Sequence, residues 1–207
     1  EQGFKLATEP YGTGSFDAST VANISDLALT EFWIRDDPES RRNLWDWTSQ
    51  IVPSAVRLKG EKIVGAESFT RMQGDWTAHP YSMKIRGDRA FAAGVNRYYF
   101  HTSVHQPWND NVKPGFTMGQ FGTQFHRNNT WFYKSKAWLK YIARCQYVMQ
   151  KGRYVSDLLV LNGESQGAIS FIGNKEQPLE DYLSGLKFDL SNIETLNTLS
   201  VDETGSI

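Results

Sequence analysis

Short apolar runs that stop at a polar residue recur along this chain, and stretches with helical spacing separate them. The clearest run is Lys62-Ile63-Val64-Gly65-Ala66, which ends in Glu67 and a polar loop. A partly β-branched run closed by a carboxylate predicts a buried strand, here over 62–66, that delivers one acid to its C-terminal end. The pattern returns at 155–161, which leads through Asn162-Gly163 into Glu164. Residues 27–33 predict another strand, with Glu31 near its end, and the aromatic, β-branched stretch 95–101 predicts one ending at His101. Shorter candidates lie at 4–8 and 185–190.

Between the strands the spacing turns helical. Asp37-Pro38-Glu39 is a helix start, with Asp as N-cap, Pro in the first position and acid in the first turn. Its pattern runs through Leu44, Trp45 and Ile51 towards Gly60, with Pro53 as a kink or restart. A short helix over 84–93 should end at Gly94. Over 131–150, Ala137/Trp138, Tyr141/Ile142, Cys145 and Val148/Met149 fall on one stripe, the strongest helical pattern in the chain. Turn chemistry predicts an irregular connection over 11–26, polar loops at 70–80 and 166–178, and a turn at 202–205. From 191 the chain reads as a connector holding a short helix or strand.

Strand starts near 27, 62 and 95 are spaced as one βα unit each, about 30 residues. The expected fold is therefore α/β: a (β/α)8 TIM-type barrel, of which residues 1–207 form an incomplete portion with about five or six strands. The strands at 62–66, 95–101 and 155–161 should be parallel neighbours in chain order. Glu67, His101 and Glu164 should then share the end where such barrels carry their chemistry. An open α/β sheet is the alternative. Residues 102–129, rich in Gly, Pro, Asn and aromatics, are expected to be a long active-site loop that brings Trp108 or Phe116 near that end.

Composition narrows the chemistry. With 22 basic and 23 acidic residues in 207, neither a nucleic-acid footprint nor an acidic tail is indicated. No apolar run approaches the roughly 18–20 residues that span a membrane, and Glu1-Gln2-Gly3-Phe4-Lys5 does not read as a signal peptide. One cysteine, Cys145, excludes an internal disulfide and a cysteine-based zinc cluster, and its helical setting predicts a buried, inert thiol. Seven tryptophans are informative, because Trp33, Trp76, Trp108 and Trp131 fall in loop-like stretches. Flat rings with a polar edge suit sugars or interfaces. Trp45 and Trp138, at helical spacing, read as core.

Glycosidic bonds are commonly cleaved between two carboxyl groups. Glu67 and Glu164 are of the required type and placement, and Glu9 and Glu31 are further candidates. His101 and His105 share a spacing that chelates metal only on a helix. At the end of a strand they read instead as hydrogen-bonding partners for substrate hydroxyls or as satisfied structural residues. An oxygen-rich cation site of Glu, Asp and Asn is compatible with the composition. No serine-nucleophile elbow, phosphate loop or dinucleotide fingerprint occurs.

Several blocks, in order, resemble glycoside hydrolase family 106. They are residues 30–33, 65–70, 94–101, 105–107, 114–115, 130–131, 141–146 and 156–164, closing on Gly185-Leu186-Lys187-Phe188-Asp189. The resemblance implies a large, inverting α-L-rhamnosidase with a (β/α)8 catalytic domain, accessory β-domains and a calcium ion near the active site. It places Glu67 at the general-acid position and Glu164 at a second glutamate, assigned as general base. The departure is at Leu186-Lys187-Phe188-Asp189, where an aromatic-Asp-aromatic-Asp pattern is usual. The barrel's first strands and the accessory domains fall outside these residues, which alone need not be active.

The expected function is cleavage of terminal α-L-rhamnose from glycosides or polysaccharides. Glu31, Trp33, His101, His105, Trp108 and Trp131 would bind substrate, and the parent would be secreted or periplasmic. The rivals are a retaining glycosidase on the same barrel, a non-catalytic carbohydrate-binding protein, and a metal-dependent hydrolase using His101 and His105.

Overall fold

The computed structural model describes residues 3–11, 16–34, 48–72, 76–162 and 185–205. The chain divides into two compact units. The first holds Glu1–Thr30, Asp46–Val64 and Arg153–Ile207, the second Glu31–Trp45 and Gly65–Gly152. Among the described residues no helix is long and apolar enough to cross a membrane.

In the first unit, β1 (Ala7–Thr8) lies parallel to the start of β2 (Leu27–Trp33), with Ala7 beside Leu27. A helix, α1 (Ala18–Ile24), stands where an irregular connection was expected. Asp17 starts it by accepting the amides of Ser19 and Thr20, at 2.7 and 3.2 Å, so two donors that lack helical partners are satisfied. The second helix, α2 (Thr48–Leu58), runs through Pro53 without a break. A proline there forfeits one backbone hydrogen bond, and burial of Ile51, Val52, Ala55 and Val56 around it offsets the loss. The start signal at 37–39 and Trp45 lie outside the described residues.

Also in this unit, β5 (Leu158–Leu161) pairs in parallel with β6 (Phe188–Ser191), Leu158 beside Phe188. Among the described residues, 155–161 is thus paired with the strand that follows it in the chain. The ladder begins only at Leu158 because Asp157 meets the partner chain side-on. Its carboxylate accepts the Lys187 amide at 2.9 Å, while its own amide donates to the Lys187 carbonyl at 2.8 Å. Phe188 and Leu190 enter a core with Ala18 and Ile51, against which Phe16 and Val160 pack. A last helix, α5 (Ile193–Leu196), is capped by the Asn192 side chain, which also donates to Asp17.

In the second unit, β3 (Gly65–Thr70) and β4 (Arg97–Phe100) run parallel, with Gly65 beside Arg97 and Glu67 beside Tyr99. The strand expected over 62–66 is therefore displaced, and Glu67 sits within it rather than beyond its end. A helix takes up two backbone groups at β4 and just before it: the Tyr98 amide donates to the Gln146 side chain, and the Gln150 side chain donates to the Asn96 carbonyl, each at 2.7 Å. That covers a strand edge which would otherwise invite pairing. The helix is α4 (Lys136–Met149), preceded by a 3-10 turn at Phe132–Lys134. Of its predicted stripe, Ile142 is buried and Trp138, Tyr141, Cys145 and Met149 are half-buried, while Ala137 and Val148 are exposed. Cys145 is thus only partly covered.

The helix expected over 84–93 is α3 (Pro80–Ala92), which starts earlier because His79 and Ser82 cap it reciprocally and Pro80 takes the first helical position. An aromatic core joins these elements. Phe69, fully buried, meets Phe32 at 4.8 Å, Trp138 at 5.4 Å, Tyr98 at 5.6 Å and Phe100 at 5.7 Å. The described residues thus form an α/β fold with parallel sheets, and no closed barrel is found among them.

Candidate active site

In a flat strand, residues three apart point to opposite faces, so Thr70 should turn away from Glu67. Phe69 prevents this. Its φ is 63°, in the left-handed region that non-glycine residues avoid. The conformation is held from three sides: the buried ring packs as above, its carbonyl accepts the Thr123 hydroxyl at 2.8 Å, and Gly87 leaves room where a Cβ would come within 3.2 Å of the ring. Such strain persists only where the surroundings over-determine it. The turn brings the Thr70 hydroxyl onto Glu67 Oε1, to which it donates.

His101, one residue past β4, completes the cluster. Its Nδ1 lies 3.1 Å from Glu67 Oε1 and 3.1 Å from Thr70 Oγ1, and its amide donates to the Ser68 carbonyl at 3.0 Å. The Glu67 and His101 side chains are 19% and 14% exposed, covered yet reachable. The cluster therefore holds Oε1 of the Glu67 carboxyl group between a hydroxyl and an imidazole.

Residues 102–129 return to this end of the strands. Thr102 donates to the Thr123 carbonyl, Thr123 to that of His101 and Gly122 to that of Arg71, each at 2.8 Å. Gly122, at φ 93°, passes where a Cβ would meet Thr102 at 3.0 Å. The loop delivers Met118, whose Sδ is 3.1 Å from His101 Nε2, and Phe121, whose ring meets the edge of Trp33 at 6.3 Å. Buried His126 braces it. The imidazole donates from Nε2 to Gln124 at 2.7 Å, so Nδ1 accepts from the Gln106 side chain at 3.0 Å and the Asn128 amide at 3.3 Å.

The remaining sequence candidates are placed as follows. Glu31 is buried in β2, beside the core ring Phe32. Trp33 is half-buried against Phe121. His105 stacks on Phe116, with centroids 5.9 Å apart, and Trp108 packs on the same ring at 4.8 Å. Trp131 donates its indole N–H to the Ala78 carbonyl at 2.8 Å and meets Phe125 and Trp138 edge-on, so the visible contacts of this tryptophan are those of a core residue. Glu164 lies outside the described residues. Thr70, Met118 and Phe121 were not foreseen, and the three-residue spacing from Glu67 to Thr70 argued against their meeting.

Among the described residues no three His, Cys, Asp or Glu side chains converge as metal ligands.

The whole stretch 2–207 matches the glycoside hydrolase 106 family, described as alpha-L-rhamnosidase. A protein of Formosa agariphila, provisionally named a beta-glucuronidase, is 40% identical over 201 residues, covering 97% of this chain and 16% of that protein. The solved structure of a rhamnosidase from Novosphingobium sp. PP1Y superposes with a TM-score of 0.79 at 29% identity, over 90% of this chain and 17% of that one. The chain thus spans about a sixth of the length of these relatives. With the match running unbroken through Glu67, His101 and the returning loop, the chain belongs to the glycoside hydrolase 106 family.

Proposed function

We propose that the full-length protein removes terminal α-L-rhamnose from glycosides or polysaccharides with inversion of configuration. Glu67 passes its carboxyl proton to the glycosidic oxygen as the bond from that oxygen to C1 breaks. Glu164 takes a proton from the water that attacks the opposite face of C1. The observation that carries this reading is the anchored Glu67 carboxyl, held by Thr70 and His101 on a parallel strand. These contacts support the reading because they hold the carboxyl group in place before a substrate arrives. The calcium implied by the family would draw on other residues of the parent chain, and a secreted or periplasmic parent suits a polysaccharide substrate.

The name of the Formosa agariphila relative favours a second reading, a β-glucuronide substrate. That sugar carries a carboxylate, so the two readings part on the first assay, with aryl α-L-rhamnoside beside aryl β-glucuronide. In the full-length protein, Glu67→Gln should cut turnover of natural rhamnosides by ~10²–10⁴-fold, the usual worth of general acid catalysis. It should cost far less on a substrate whose aryloxide leaves unaided. Glu164→Gln should impair both substrates, since water must be activated whichever group departs. Equal losses for Glu67→Gln on both would remove its acid role. First-formed α-rhamnose, followed by NMR, would remove inversion in favour of a retaining route.

A further inference from the structure

Three rings of the returning loop stand out into solvent. His105 and Phe116 stack within 4° of parallel, Trp108 lies against Phe116 at 4.8 Å, and Phe116 and Trp108 are 59% and 43% exposed.

The loop does not leave them there through slackness. Phe116 donates its amide to the His105 carbonyl at 3.0 Å, and the Gln106 side chain donates to the Pro114 carbonyl. Arg127 donates to the Trp108 carbonyl at 2.8 Å and to Asp110 at 3.1 Å. Gly115, at φ 107°, has no room for a Cβ, which would meet Gln106 at 2.7 Å. The backbone holds the rings out, with an exposed Arg127–Asp110 pair on the rim.

We propose that Trp108 and Phe116 form a stacking platform for a second sugar unit, on the leaving-group side of the bond that Glu67 protonates. The proposal rests on the glycosidase reading above. Aromatic faces accept the C–H faces of pyranose rings, and charged groups at the edge take hydroxyls. The platform shares its loop with a residue of the Glu67 cluster: Phe116 is two residues from Met118, whose Sδ lies 3.1 Å from His101 Nε2, and two residues separate Cα atoms by at most ~7 Å. Its openness suits the unit that stays attached to the polymer, since an exo-acting site encloses the terminal sugar. Size argues against a protein partner. Three partly exposed rings offer a few hundred Å² at most, where a stable interface takes about 800 Å² from each partner.

The test uses the full-length protein with Trp108→Ala and with Phe116→Ala. Each is assayed on a rhamnose-terminated oligosaccharide and on α-L-rhamnosyl fluoride, whose leaving group is a single atom. On the oligosaccharide kcat/KM should fall ~10-fold for each variant, the scale of one lost ring contact. Trp108→Phe should keep most of the rate, and the fluoride should turn over as in the wild type. Equal losses on both substrates, or no loss on the oligosaccharide, overturn the proposal. If the wild type cleaves neither substrate, the glycosidase reading has failed and binding alone judges the platform. Titration with the oligosaccharide should then shift tryptophan emission in the wild type and not in Trp108→Phe, and an unshifted wild type overturns the platform as well.

Discussion

Glu67 and Asp189 are both carboxylates on parallel strands, yet their neighbours differ in kind. Asp189, in β6, receives Arg57 through Nε at 2.8 Å and through a terminal guanidinium nitrogen, and its other oxygen accepts the Ser156 hydroxyl. The Arg57 guanidinium in turn lies 4.1 Å above the Tyr154 ring. Glu67 meets a threonine hydroxyl and an imidazole. Arginine keeps its charge at every working pH, whereas histidine gains and loses its proton near neutrality. A carboxylate bound to a permanent cation serves as a tie between elements. One set among groups that exchange protons is suited to acid chemistry. Asp189 closes the segment where the sequence departs from the family's usual pattern, and the structure shows it bound to Arg57 and Ser156.

The largest expected difference follows from that contrast. Glu67→Gln should lower activity on natural glycosides by ~10²–10⁴-fold while leaving the thermal midpoint nearly unchanged, because an amide oxygen still accepts the Thr70 hydroxyl. Asp189→Asn should do the reverse. The Arg57 and Asp189 side chains are 12% and 10% exposed, and removing one partner of such a pair costs about 3–5 kcal/mol of stability. Thermal unfolding and activity on a natural rhamnoside, measured on the same preparations, separate the two. A Glu67→Gln protein that melts as early as Asp189→Asn would erase the distinction.

A smaller effect sharpens it. Replacing both partners, Arg57→Met with Asp189→Leu, should restore most of the stability that Asp189→Asn loses. Apolar groups of similar volume often equal a buried ion pair once neither charge is stranded. No such compensation should exist for activity at Glu67: adding His101→Gln to Glu67→Gln should leave turnover as low as before. A double replacement at 57 and 189 that melts no higher than the single one would mean the tie depends on its hydrogen bonds rather than on a stranded charge.

Much of this contrast was legible before any coordinates. Leu27–Trp33 shows its strand in full, and Trp138 with Ile142 marks the inner side of α4, because both patterns are local. Glu67 was found from an apolar run that ends in a carboxylate. What escaped depends on distant partners. Phe69 adopts its turn because Gly87 and Thr123 accommodate it, and neither is near in sequence. Thr70 joins Glu67 only as a result. The pairing of β5 with β6 was equally hidden, since parallel register is set by buried residues on another segment, here Phe188 and Leu190. The helix at 18–24 was concealed by its own cap, as Asp17 and its polar neighbours read as a turn when viewed singly.

The smallest effect is a titration, and Tyr154 reports it. Burial raises its pKa above the ordinary value near 10, the Arg57 charge pulls it down, and Asp189 and Asp157 push it up. A phenol with a raised folded pKa adds stability that is whole below the unfolded value near 10 and is lost as pH rises through the folded one. Asp189→Asn removes one raising charge and leaves Arg57 to lower the pKa, so Tyr154 should ionise earlier than in the wild type. In the protein with Arg57→Met and Asp189→Leu the opposed charges vanish together. Burial, the largest cause, remains, and the phenol should still titrate above its ordinary value. The tyrosinate absorbance of each protein, less that of its Tyr154→Phe counterpart, isolates this one ring. If Tyr154 ionises at the same pH in Asp189→Asn as in the wild type, Asp189 does not act on it through charge. The carboxylate would then shape its surroundings by hydrogen bonds alone.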